Sequence, residues 1–187
     1  NGVILHGWHF RIHLDDQRSN KRLVLYLPGN AGCRRDRLND CRDFTQLGCE
    51  VLLMDYRGYG DNGGAPSESL LAVDARRAWK YATDELKYRP DQIVIFGESL
   101  GGAVAIRLAA EFSEVGDPPV ALILNSTFAS MGDTVAWHFP AYPFRFFLLD
   151  AFPSSKRIPH VTCPVLQFHG TADETVPFSH GERLFAN

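Results

Sequence analysis

The chain has 187 residues, 45% of them hydrophobic and 22% charged, enough for one globular domain with a substantial core. Its formal net charge of −3, with no basic run, excludes the electrostatic footprint of a nucleic-acid binder. No uninterrupted apolar stretch approaches the roughly 18 residues that cross a bilayer. Four cysteines (Cys33, Cys41, Cys49, Cys163) lack metal-site spacing and read as packed, reduced thiols, although their even count leaves disulfides open.

Asn1 is not a methionine, so an upstream signal peptide or membrane anchor would not be visible. The expected compartment is cytoplasmic, or a membrane surface if an anchoring segment precedes Asn1. Residues 3–13 alternate loosely, as in the first strand of a hairpin, and end in a polar turn at 15–20. Residues 23–27 are apolar throughout, as a strand covered on both faces should be, and stop at Pro28-Gly29-Asn30-Ala31-Gly32. A helix is predicted over 34–47, closed by Gly48, and a buried strand over 51–54. The glycine-rich stretch Arg57-Gly58-Tyr59-Gly60-Asp61-Asn62-Gly63-Gly64 has no following Lys-Ser/Thr and no Gly-x-Gly-x-x-Gly, so it reads as a plain crossing loop.

Pro66-Ser67-Glu68 opens a long helix whose inner face is Leu71, Ala75, Ala78, Ala82 and Leu86. After a break at Arg89-Pro90-Asp91, the run Gln92-Ile93-Val94-Ile95 leads into Phe96-Gly97-Glu98-Ser99-Leu100-Gly101 and then a small-residue helix to Phe112. Strand, Gly-x-Ser-x-Gly and helix in that order describe an elbow that lifts one hydroxyl clear of the backbone at the end of a sheet. A Cβ at 97 or 101 would meet the neighbouring strand or helix. Another buried strand is predicted over 120–124, an aromatic, proline-rich stretch over 125–157, a last strand over 165–168, and a helix from 177. Alternating strands and helices imply an α/β fold, a mostly parallel sheet with helices on both faces and its chemistry at the carboxyl ends of the strands. Asn30, Asp55, Ser99, Asn125 and Asp173 all fall there.

Four stretches carry a resemblance: Pro28-Gly29-Asn30-Ala31-Gly32, Asp55-Tyr56-Arg57-Gly58-Tyr59-Gly60, Gly97-Glu98-Ser99-Leu100-Gly101-Gly102 and His169-Gly170-Thr171-Ala172-Asp173. Together they resemble the α/β-hydrolase fold, and within it the Bem46-like group of serine hydrolases. The resemblance implies that Ser99 is the nucleophile, that Asp173 is the acid orienting a histidine, and that the backbone N–H groups of Asn30 and Leu100 form the oxyanion hole. Such chemistry needs a base for the hydroxyl, a carboxylate for the base and donors placed in advance for the oxyanion, but no metal or organic cofactor. Pro28 stands where the family usually has histidine; it cannot donate an N–H, but the implied donor is Asn30.

The catalytic histidine is not identified in residues 1–187. In this fold it follows the acid after a further helix and strand, and only residues 174–187 follow Asp173. His6, His9 and His13 fall in the first hairpin, His160 in a loop, His169 at a position that is structural in the family, and His180 at a helix start facing solvent. His138 lies in the aromatic stretch, as a packing residue or above the pocket. The natural protein is expected to continue past Asn187, which would also cover the outer edge of the strand at 165–168. The expectation is a single domain, 1–187, with a cap-like segment at 126–157 whose rings line an acyl pocket, against the alternative of ordinary packing. The expected activity is hydrolysis of an ester-type bond (carboxylester, lipid ester or thioester) in a small-molecule acyl substrate. A serine peptidase and a non-catalytic binding or scaffold protein remain the alternatives, and membrane association through the cap or a preceding segment stays open.

Overall fold

A computed structural model describes residues 2–12, 22–141 and 149–186. Six strands form one sheet: β1 (Gly7–Phe10), β2 (Arg22–Leu27), β3 (Cys49–Met54), β4 (Ile93–Glu98), β5 (Ala121–Asn125) and β6 (Val165–Phe168). Their order is β1-β3-β2-β4-β5-β6, and all pairs are parallel except β1 with β3. The first hairpin is therefore not formed: β1 turns away from β2, whose two edges are taken by β3 and β4. The helices are α1 (Leu38–Gln46), α2 (Glu68–Lys80), α3 (Leu100–Glu114), α4 (Met131–His138), α5 (Ser154–Arg157) and α6 (Phe178–Phe185).

The period-two geometry of a strand sorts the side chains of β2 onto two cores. Leu23, Leu25 and Leu27 join Ile93, Ile95, Leu122 and Leu124 beneath α2 and α3, while Val24 and Tyr26 join Val51, Leu53 and Phe96 beneath α1. On the first face Trp79 of α2 stacks on Phe112 of α3 at 4.4 Å. On the second, Tyr26, Phe44 and Phe96 pack edge to face. Ser67 starts α2 by accepting from the Leu70 N–H, and its predicted inner face is buried at Leu71, Ala75, Ala78 and Ala82. Helices thus cover both faces, as the alternation implies.

Because β2 to β6 run parallel, the loops that follow them all leave one edge of the sheet. The glycine-rich loop after β3 is more than a crossing. Arg57 meets the wholly buried Asp74 of α2 through its backbone N–H and its guanidinium, and Asn62 donates to the carbonyls of Asp55 and Tyr56. Arg34 reaches both Asp55 and Asp61 and lies 5.1 Å from the Trp8 ring centroid. Among the aromatic residues after β5, Phe128 and Phe152 are core, whereas Trp137 and Phe139 are exposed. Tyr142, Phe144, Phe146 and Phe147 lie outside the described residues.

Candidate active site

Ser99 links β4 to α3 with φ 50°, a left-handed conformation that a serine adopts only where its surroundings impose it. The imposition is visible atom by atom. The Ser99 N–H donates to the Asn125 carbonyl at 2.8 Å, and Thr127 Oγ1 donates to the Ser99 carbonyl at 2.8 Å. A Cβ on Gly97 would lie 2.6 Å from the Gly101 carbonyl oxygen and from the Gly102 Cα, and one on Gly101 would run into the carbonyls of Leu27 and Pro28. The elbow is a close meeting of three backbones, which is why glycine flanks the serine. Leu100 is the first residue of α3, where backbone N–H groups have no partner within the helix.

Asn30 is exposed just beyond β2, and its Oδ1 accepts from the Tyr59 hydroxyl at 2.5 Å. The loop that carries it is tied to the elbow from beneath. Glu98, the residue before Ser99, takes a two-pronged bond from Arg37 at 2.9 and 2.8 Å and accepts from Tyr26 at 3.1 Å. Its carboxylate lies directly under Gly29.

Asp173 follows β6 and is partly buried, with Oδ1 accepting from the N–H groups of Thr175 and Val176 at 2.9 and 2.8 Å. Burial alone would raise its pKa. The two amides, the Ser126 hydroxyl and His169 outweigh burial and hold the carboxyl below the usual range. Asp173 is therefore a carboxylate at neutral pH, and its Oδ2 is not used by those two amides. Ser126, also left-handed at φ 50°, is bonded through its N–H to the Phe168 carbonyl, which fastens the loop after β5 to that after β6.

The six described histidines are placed as follows. His9 pairs with Glu50 at 2.6 Å, His160 with Glu114 at 3.3 Å, and His6 is exposed beside Asp61. His138 Nε2 bonds the Thr175 carbonyl at 2.9 Å. His169 Nε2 donates to the Val176 carbonyl at 2.7 Å and stays 3.8 Å from Asp173 Oδ2. His180 does not face solvent: it is 3% exposed, under α4, with Nδ1 3.4 Å from Thr134 Oγ1. His13 lies outside the described residues. Sequence reasoning missed Tyr59, Arg37 and Ser126. Tyr59 sits in a quoted motif and was the one open to inference; Arg37 and Ser126 act through partners distant in the chain.

A mostly parallel sheet flanked by helices, with a left-handed serine between its central strand and the next helix, is the α/β-hydrolase architecture. The family described as Serine aminopeptidase, S33 (Hydrolase_4) matches residues 18–154, and the chain belongs to it. An uncharacterized protein of Mycobacterium tuberculosis is 43% identical over 186 residues, covering 100% of this chain and 63% of its own length. The lysophosphatidylserine lipase ABHD12 of Danio rerio is 34% identical over 183 residues, covering 90% of this chain and 47% of that enzyme. The chain thus spans about half to three-fifths of these relatives. An α/β hydrolase from Vibrio vulnificus superposes with a TM-score of 0.79 at 26% identity, covering 89% of this chain and 61% of the other.

Proposed function

We propose that this chain carries the nucleophile, the acid and the oxyanion hole of a serine hydrolase acting on ester bonds. The observation that carries the reading is the strained Ser99 at the elbow, held by Asn125, Thr127 and the two jammed glycines. In this reading Ser99 Oγ attacks the ester carbonyl and passes its proton to the triad histidine, which is not identified in residues 1–187. The oxyanion settles on the N–H groups of Asn30 and Leu100. The histidine returns the proton to the departing alcohol, leaving an acyl-Ser99 that water then hydrolyses by the same steps. Asp173 accepts from the imidazole through Oδ2. The lipase relative supports a lipid-type acyl substrate. Segment 126–157, with Trp137 and Phe139 at its surface, is the proposed cap over the acyl chain. The family's description keeps a second reading in view, cleavage of a peptide amide by the same serine.

A fluorophosphonate should label Ser99 in the full-length protein, and Ser99→Ala should abolish both labelling and turnover of p-nitrophenyl esters. Cleavage of aminoacyl anilides without ester turnover would replace the ester reading by the peptidase one. Absence of labelling and of both activities would leave a binding protein.

A further inference from the structure

The loop at 28–32 faces a mechanical problem. A donor N–H stabilises an oxyanion only if its peptide plane is held in advance, yet this loop is built from small residues and Asn30 at its tip is exposed. Gly32 is left-handed at φ 75°, and although Pro28 and Gly29 are buried over Glu98, no bulky side chain of the loop itself covers the tip.

The glycine-rich loop after β3 supplies a rigid arm that reaches this tip. Tyr56 is completely buried, and the Tyr59 ring packs on it edge to face, with centroids 5.9 Å apart. The Tyr59 N–H donates to the Tyr56 carbonyl at 3.0 Å, and the Tyr59 carbonyl accepts from Asn62 at 2.9 Å. Asn62 is itself buried and bonded to Asp55 and Tyr56. The left-handed turns at Gly58 and Gly60, with Arg57 on Asp74, fix the course of the loop. Farther along, Arg34 joins the end of the Asn30 loop to Asp55 and Asp61. From this anchored frame the Tyr59 hydroxyl donates to Asn30 Oδ1 at 2.5 Å.

We infer that Tyr59 is a positioning residue for the oxyanion hole: by holding the Asn30 side chain it sets the direction of the Asn30 backbone N–H. The inference rests on the proposed roles of Ser99 and Asn30. It assigns to the Arg-Gly-Tyr-Gly loop a part in the rate of acylation and deacylation rather than in substrate binding. The Tyr59 hydroxyl is protonated, and so a donor, across the neutral range, and burial raises its pKa further.

Tyr59→Phe deletes one oxygen and keeps the ring on Tyr56. In the full-length protein, with p-nitrophenyl esters, kcat should fall about tenfold, less than the roughly 10²–10³-fold of a lost oxyanion donor, with KM unchanged. The rate of fluorophosphonate inactivation of Ser99 should fall by the same factor, and the thermal midpoint should not move. In an Asn30→Ala background, where the acceptor is gone, Tyr59→Phe should change kcat no further. An unchanged kcat in Tyr59→Phe, a rise in KM alone, or an equal loss in both backgrounds would overturn the inference while Ser99 labelling in the wild type keeps the hydrolase reading. Failure of wild-type labelling would remove both.

Discussion

Asp74 has no exposed surface, and its charge is tolerated in the interior of α2 because Arg57 meets both of its oxygens. Such a pair adds little over a well-packed apolar one, but losing one partner leaves a bare charge in the core. Arg57→Met should therefore cost about 3–5 kcal/mol in urea unfolding, and adding Asp74→Asn should restore part of it. His180 poses the converse case. Burial and the nearby Arg183 lower its pKa, with His169 and His138 acting the same way and Asp133 opposing. Above the ordinary histidine value near 6.5 it is neutral in both folded and unfolded chains. As pH falls below that value the unfolded chain takes the proton first, so stability falls until the lower folded pKa is reached. Unfolding free energies measured from pH 7.5 to 5 should show this decline, and His180→Gln should flatten it. Neither residue was legible from sequence. Arg57 sat in what read as a plain loop because its partner lies 17 residues on, in the next helix, and His180 opens a helix whose cover comes from Thr134.

At the level of elements, the apolar runs located β2 to β6, because a strand buried on both faces needs no pattern beyond hydrophobicity, although β6 proves largely exposed and β1 was read from a loose alternation. Partnership was harder to see. Residues 3–13 were expected in a hairpin, but a central strand in a parallel sheet has no free edge to offer, and β1 pairs with β3 instead. The elbow was the most legible element, since its glycines answer to local crowding. Gly101→Ala should destabilise by about 3 kcal/mol in equilibrium unfolding, as overpacking against fixed carbonyls does. The last strand presents the opposite situation. Leu166 and Phe168 of β6 are 50% and 53% exposed on the face that α1 covers farther along the sheet. Residues 1–187 made alone should associate through this surface, and Leu166→Lys should reduce the association seen by light scattering. Equal scattering from both would mean that some other surface is responsible.

Across the whole molecule, the strand-end rule places Asn30, Asp55, Ser99, Asn125 and Asp173 on one edge from the sequence alone, because parallel strands force it. What the rule cannot supply is how those loops are held to one another, which depends on side chains that meet across the edge: Tyr59 on Asn30, Arg37 on Glu98, Ser126 beside Asp173. The same edge shows a closure of another kind. The Met131 N–H donates to the Ala151 carbonyl and the Ser155 N–H to the Ala129 carbonyl. Asp150 accepts from the Glu68 N–H, while Glu68 accepts from Phe152 and Arg157. The polypeptide thus leaves the body of the protein at Met131 and rejoins it at Ala151 with these two points already together. Lengthening a closed detour adds only about 0.6 kcal/mol for each doubling. Evolution or an engineer can therefore exchange what lies between these two points with the sheet and the elbow left untouched, provided that the contacts of Thr134 with His180 and of His138 with the Thr175 carbonyl of the acid loop are replaced.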